Sequence, residues 1–517
     1  MAEGRTEDPE LSERPAEPET RFERLRHRLG LFLGPLLAVL VYALPLRGLS
    51  GPAHALAAIV AWVAAWWITE PVPIPVTSLL GASLAVAAGV SDAKSAFAPF
   101  GDPVIYLFLG SFIIAKAMSV HGLDKRFAYR ILSVRAVGNS SARILFVFGA
   151  ITAALSMWIS NTATTAMMFP IALGIISAMS GILAETRGRR PAKDNSLFAT
   201  GLMLMTAFAA SIGGIGTPVG TPPNLIGLAM LEKFTGLEIP FFRWLMFAVP
   251  LLVVMYGFLF VVLYLLHKPQ VRRIRGTREW VGAELRKLGP MTRGQKNALI
   301  AFLAAVTLWV LPGFLALVTG VESALSKTYN RRVPEAVAAV AAAALLFILP
   351  VDWKKKTFTL TWRQAVQIDW GTLLLFGGGI SLGEMMFQTG LAEAVGRGVL
   401  GLFGAASLWG LTLSAIYLAV FVSEATSNTA SATMIVPVII SVAQAAGVNP
   451  VPPAIGAIIG ASYGFMLPVS TPPNAIVYGS GRVPIMRMIR AGAIVDLGGG
   501  VLVWIGLRLL LPLVGLG

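Results

Sequence analysis

Two Ser-Asn-Thr tripeptides, Ser160-Asn161-Thr162 and Ser427-Asn428-Thr429, each interrupt a strongly apolar stretch. Serine hydroxyl and asparagine amide oxygens can coordinate a cation such as Na⁺, while Thr hydroxyls and Asn NH₂ groups can hold a carboxylate. Where a helix ends and another begins, freed carbonyls and freed N–H groups add to both abilities. Ser156 and Ser423 stand one helical turn before Ser160 and Ser427 and face the same corners. A second pair of breaks, Gly220-Thr221-Pro222-Pro223-Asn224 and Ser470-Thr471-Pro472-Pro473-Asn474, works by another route. Consecutive prolines remove two donors and free carbonyls one turn earlier. The small residues ahead of them, Gly220 and Ser470, allow close backbone approach and leave a carbonyl oxygen for a cation. Each tip is expected to meet its own half's Pro-Pro break, giving two symmetry-related ion sites with substrate between them.

The tripeptides stand 267 positions apart, and that offset also carries Gly110 onto Gly377, Met118 onto Met385, Ser156 onto Ser423, Met167 onto Met434 and Pro170 onto Pro437. The Thr-Pro-Pro-Asn elements repeat at an offset of 250, the difference fitting an extra basic loop, Glu185 to Asn195, in the first half. A lone Ser-Asn-Thr is a common helix cap, and a lone Pro-Pro is a kink. Two copies in register, each paired with the other element, favour a binding site between repeats of a secondary transporter.

The elements that must carry these breaks are membrane helices. Of 517 residues 56% are hydrophobic and only 13% charged, about half the charged share of a soluble chain. Apolar spans of membrane length cover roughly 31–46, 54–69, 74–92, 103–120, 198–230, 242–266, 296–318, 333–350, 369–388, 454–480 and 490–512. Two further stretches, 143–181 and 405–446, are broken mid-way and read as re-entrant hairpins. The expected fold is an all-α polytopic membrane protein of about 11 transmembrane helices plus two hairpins. An odd number of crossings separates 103–120 from 369–388, so the repeats are expected to be inverted, with one hairpin opening to each side.

The net charge of +15 does not indicate nucleic acid. About 31 of the 41 Lys and Arg fall in alternate loops, which predicts a cytoplasmic N-terminus and an external C-terminus in the cell (inner) membrane. Lys327, Arg331 and Arg332 are the discordant spot. Residues 1–29 read as a disordered polar tail without a cleavable signal. The absence of cysteine excludes disulfides and thiolate chemistry, and four dispersed histidines argue against a metal centre or a nucleophilic triad. Gly213-Gly214-Ile215-Gly216 lacks a phosphate-loop Lys, and Asn139-Ser140-Ser141 falls on the cytoplasmic side. Trp62, Trp66 and Trp67 read as interface anchors, and Glu70 as a helix-terminus residue. Lys116, Glu384 and Glu424 lie in or beside apolar spans, where functional and structural roles both stay open. No Lys or Arg lies within ten residues of either tip, so an anionic substrate would need co-bound cations for neutralisation.

Ser156-Met-Trp-Ile-Ser-Asn-Thr-Ala-Thr164, Ser423-Glu-Ala-Thr-Ser-Asn-Thr-Ala430 and the two Thr-Pro-Pro-Asn elements resemble the divalent anion/sodium symporter family, the sodium-coupled di- and tricarboxylate transporters. The resemblance runs from about Leu31 to the C-terminus. It implies a homodimer working as an elevator. Scaffold helices 1–4 would lie in 30–142 and scaffold helices 7–9 in 296–388. The transport domain would comprise 143–266 (hairpin 143–181, broken helix 198–230) and 405–517 (hairpin 405–446, broken helix 454–480). It implies at least two Na⁺ sites, one from Ser156, Ser160, Asn161 and Gly220, the other from Ser423, Ser427, Asn428 and Ser470. Dicarboxylate would contact Asn161, Thr162, Thr221, Asn428, Thr429, Thr471 and Pro472. Ser470 departs from the usual small residue such as Ala, which a backbone-carbonyl ligand tolerates. The expected activity is import of succinate, malate or fumarate with Na⁺. The alternatives are Na⁺-independent exchange, citrate or sulfate transport and, from another class, an ion channel; a membrane hydrolase lacks any supporting constellation.

Overall fold

The computed structural model describes residues 21–46, 48–134, 140–187, 197–269, 277–320, 323–403 and 407–517. Those residues are helical almost throughout, with one antiparallel ribbon pairing Pro350–Asp352 with Thr357–Phe358. Among them nine helices are long and apolar enough to cross a membrane, including both arms of the second hairpin. By length and composition alone nine qualify, since several of the expected spans are short or, as the Pro-Pro breaks predict, divided. The stretch 74–92 yields Ile74–Ala87, 198–230 divides into Leu197–Gly214 and Pro222–Thr235, and 454–480 into Val451–Ala461 and Pro472–Gly479. The tail is corrected too: the first helix is Arg21–Ala43, so residues 21–29 are helical. Polar composition does not stop a helix of good helix formers such as Arg, and this one docks on Gly51–Thr69, with Arg26 3.6 Å from Glu70. Asn139 and most of the loop 185–195 lie outside the described residues.

The repeat offsets reappear in the element boundaries. Pro103–Val120 has Trp370–Gln388 as its partner, and the hairpin arm Ser141–Ser156 has Leu408–Ala425. The return arms begin at Asn161 and Asn428, and the helices after the second breaks begin at Pro222 and Pro472. Each arm packs on its own half's central helix, Ser141–Ser156 on Leu197–Gly214 and Leu408–Ala425 on Val451–Ala461. The central helices are wrapped on all sides: every residue of Val451–Ala461 is buried, and every residue of the other from Phe198 onward. Outward, Val253, Val254, Val261, Phe421, Leu509 and Leu513 expose apolar side chains, the surface that a bilayer covers.

Gly213 sets how closely the first arm and central helix approach. A Cβ there would lie 2.3 Å from the Ala153 carbonyl oxygen and 2.6 Å from its Cα, backbone that cannot swing aside. Gly213→Ala should cost about 1–3 kcal/mol, read as a lower Tm of the detergent-solubilised protein. Gly257→Ala, where a Cβ meets nothing within 4 Å, should leave Tm unchanged or slightly raised. Equal melting of the two variants would refute this packing.

Candidate functional site

At the first tip the outgoing helix ends at Ser156 and the return helix starts at Asn161. Ser160 caps that return helix, its Oγ accepting from Ala163 N–H at 3.3 Å. Ser156 donates its hydroxyl to Asn161 Oδ1 at 2.8 Å, which fixes the amide against the corner. The facing break is held by Asn224, whose Nδ2 donates to the carbonyls of Gly214 (3.0 Å) and Thr217 (2.8 Å). Thr217 donates its hydroxyl to the Met157 carbonyl, tying break to tip. A Cβ on Gly220 would lie 2.5 Å from the Gly214 carbonyl oxygen and 2.9 Å from that of Met157. Only a glycine lets these backbone oxygens crowd one point.

The second half repeats the capping and amide bonds of this arrangement. Ser423 donates to Asn428 Oδ1, again at 2.8 Å, and Ser427 Oγ accepts from Ala430 N–H at 3.2 Å. Asn474 Nδ2 donates to the carbonyls of Gly464 (2.8 Å) and Leu467 (3.0 Å), the positions that the 250 offset pairs with Gly214 and Thr217. The tie between tip and break differs. Glu424 accepts from the Met466 and Leu467 N–H groups at 2.8 and 3.2 Å and from the Ser470 hydroxyl at 2.5 Å. Its proton given to Glu424, the Ser470 hydroxyl keeps its oxygen lone pairs, as Ser156 does after donating to Asn161, and the backbone carbonyl is free beside it.

Both tips and both breaks line one cavity of about 720 Å³. Asn161, Thr162, Thr221, Asn428, Thr429, Thr471 and Pro472 all border it, as do Ser160, Gly220, Ser427 and Ser470. Ser156 and Ser423 are fully buried and lie outside its lining. The lining residues therefore suit a small anion, and the oxygens behind them suit dehydrated cations. In each break one buried amide oxygen, Asn224 Oδ1 and Asn474 Oδ1, has no hydrogen-bond partner, as a cation ligand would.

Other singled-out residues fall into place. Lys116 borders the same cavity, opposite in charge to Asp369, which also lines it and caps the helix Trp370–Gln388 through Thr372. Glu384 is ion-paired with Lys233. Glu70 closes its helix in a left-handed conformation, φ 50°. His54 and His121 bond the carbonyls of Val41 and Thr359, and no group of three His, Cys, Asp or Glu side chains gathers among the described residues. Asn224, Asn474 and Thr217 hold the breaks together and are not among the residues expected at the site. The two asparagines were legible as the repeated last letter of Thr-Pro-Pro-Asn; Thr217, lacking a repeat counterpart, was not.

The family described as the sodium:sulfate symporter transmembrane region matches residues 27–514. A protein named sodium-dependent dicarboxylate transporter SdcS, from Staphylococcus saprophyticus, is 36% identical over 472 residues, spanning 91% of this chain and 88% of its own. The chain belongs to the divalent anion/sodium symporter family. It is a multi-pass membrane transporter, not an enzyme. Another family member, SdcS of Staphylococcus aureus strain USA300, is 33% identical over 494 residues, with 94% of this chain and 91% of its own covered. In fold alone, the chain is similar to the crystal structure of the YdaH transporter of Alcanivorax borkumensis. There the TM-score is 0.51 and the identity 16%, over 95% of this chain and 97% of that one.

Because Asn224 holds two buried carbonyls and Asn474 one buried and one part-buried carbonyl, Asn224→Ala or Asn474→Ala should cost about 1–3 kcal/mol through unsatisfied groups. Either variant should raise the Na⁺ concentration for half-maximal transport by about tenfold. Unchanged Na⁺ dependence in both would remove them from the site.

Proposed function

We propose that this chain is a Na⁺ symporter importing C4-dicarboxylates such as succinate, malate and fumarate, with a cavity that presents one site to either side in turn. The observation that carries this reading is the duplicated set of bonds, Ser156 to Asn161 and Ser423 to Asn428, flanking one cavity. Na⁺ is cargo here. One ion would be held by Ser156, Ser160, Asn161 and the Gly220 carbonyl, the other by Ser423, Ser427, Asn428 and the Ser470 carbonyl. The named dicarboxylate transport of the two staphylococcal relatives supports the substrate class.

Coupling follows from charge. The cavity lining holds one Lys and one Asp, Lys116 and Asp369, whose charges offset each other. A dicarboxylate therefore finds no net protein charge to neutralise it, and its binding waits on cations at the tips. The return-arm N-termini at Asn161 and Asn428 point positive dipole ends toward the same space. With the N-terminus cytoplasmic, Lys116, Ser119, Gln367, Asp369 and Thr372 stand at cytoplasmic helix ends and border the cavity, which then opens inward.

In the elevator reading, the hairpins and broken helices slide as a body against a scaffold of the first helices and those in 296–388, in a homodimer in the cell membrane. Lys233 with Glu384, and Phe234 stacked on Phe387 at 4.1 Å, then join the moving body to the scaffold and separate at each stroke.

Labelled succinate uptake into proteoliposomes, under an inward Na⁺ gradient against an equal choline gradient, tests the assignment. Uptake only with Na⁺ is expected. Uptake without Na⁺ that requires internal dicarboxylate would make the protein an exchanger. No uptake in either would shift the substrate to citrate or to sulfate, the anion in the family's description. Asn161→Ala or Asn428→Ala should abolish uptake with the dimer intact, and full transport by both would refute the site. Lys116→Ala should raise the succinate KM about threefold to tenfold, less at high ionic strength. An unchanged KM would leave Lys116 outside anion recognition.

A further inference from the structure

Among the described helices, Ile74–Ala87, Phe241–Leu266, Glu335–Ile348 and Ile485–Leu513 each begin behind a proline that gives no side-chain cap. The repeat relates them two by two. Val72-Pro73-Ile74 corresponds to Val333-Pro334-Glu335, an offset of 333 − 72 = 261. Pro240-Phe241-Phe242-Arg243 corresponds to Pro484-Ile485-Met486-Arg487, an offset of 484 − 240 = 244. With the N-terminus cytoplasmic, the starts at Phe241 and Glu335 lie at the external face and those at Ile74 and Ile485 at the cytoplasmic face. Each start leaves N–H groups that its own helix cannot satisfy.

At the external face the two starts meet. Glu335 accepts from the Phe241 N–H at 2.6 Å, so one carboxylate lies against two positive dipole ends, that of its own helix and that of Phe241–Leu266. Glu335 forms no ion pair among the described residues, which leaves the helix end as its partner. Packing reinforces the bond. Phe241, fully buried, stacks on Trp309 at 5.0 Å, and Trp309 Nε1–H donates to the Glu335 carbonyl at 3.1 Å. Trp158, from the first hairpin tip, stacks on Phe241 at 6.2 Å and meets Phe302 edge-on at 5.3 Å. In the elevator reading Trp158 and Phe241 move, while Phe302, Trp309 and Glu335 stay with the scaffold.

The corresponding starts at the cytoplasmic face offer nothing comparable. Ile485 is 42% exposed and Ile74 borders the open cavity. Exchanging the conformations of the two halves turns the cavity outward and carries the end at Ile485 toward Ile74. An isoleucine side chain has no acceptor, so that closure lacks both the bond and the charge that Glu335 supplies.

We propose that Glu335 is a positioning residue of the transport cycle: a one-sided latch that caps Phe241–Leu266 while the cavity faces inward and makes that the resting state. The proposal rests on the alternating-access reading above. Glu335 is outside the cavity lining and acts only through the helix it caps. Each turn outward must break its bond to Phe241, and the turn inward breaks no equivalent.

The chain contains no cysteine, so a single introduced one reports accessibility. Ala166 lies on the cavity wall. Ala166→Cys, in intact expressing cells, is labelled by a membrane-impermeant maleimide added outside at a rate that follows the outward-facing fraction. Adding Glu335→Ala should speed that labelling about tenfold. Glu335→Gln, whose amide oxygen still accepts but carries no charge, should speed it about twofold to fivefold. The external succinate KM should fall in both, because less of the protein is held in the state that cannot bind from outside. An unchanged labelling rate in Glu335→Ala overturns the latch; if that variant does not reach the membrane, an unchanged rate in Glu335→Gln does so. Faster labelling with a higher KM marks a generally loosened protein and overturns it too. If the reporter is reached only from the cytoplasmic side in every variant, the alternating-access reading itself fails, a result distinct from these.

Discussion

A peptide group in hydrocarbon has no water to turn to, so every break in a membrane helix must be answered by another part of the protein. Four such breaks border the cavity among the described residues, and the structure answers them in pairs. The tip at 157–160 is met by the break at 215–221 through Thr217 and Met157, and the tip at 426–427 by the break at 462–471 through Glu424 and Ser470. Asn224 and Asn474 then take up carbonyls of the unwound segments ahead of the prolines. What remains unanswered is a small set of oxygens at each meeting point, and those are what a dehydrated cation requires. The ion sites proposed above are the residue of that accounting of hydrogen bonds.

The same constraint explains the surrounding architecture. Broken segments are tolerable only if fully enclosed, and the two central helices are the most thoroughly buried elements of the protein. The arms lie directly on them, with glycine at Gly213 allowing backbone to touch backbone. A binding site assembled from helix ends on such packed supports has little freedom to adjust its ligands one by one. Movement of the whole assembly against its neighbours is the natural way to change which side it faces, and this is the physical basis of the elevator proposal.

Duplication also shows where the halves have diverged. In the first half a neutral hydroxyl-to-carbonyl bond joins tip to break; in the second a buried carboxylate does so and brings further charge with it. Equal halves would bind equal cations. The buried acids Glu424 and Asp496 make the second half chemically different from the first.

Much of this was legible in the residues themselves, because repetition and breakage are linear properties. The offsets, the paired Ser-Asn-Thr and Thr-Pro-Pro-Asn elements, the hairpins and the membrane class follow from side-chain types and their spacing. The lengths of helices were less so: the Pro-Pro elements announce the breaks in 198–230 and 454–480, but hydropathy does not show that the first unwinds over 215–221. Residues 21–29 read as tail because their charges hid a helix that docking on Gly51–Thr69 supports. Which residues share the cavity, that Lys116 borders it while Glu384 is paired elsewhere, and that Asp496 reaches Glu424 across some seventy positions were decided by tertiary structure alone. Sequence spacing specifies which groups leave a helix unsatisfied, but only packing in three dimensions determines which of those groups meet, and which are left to hold an ion.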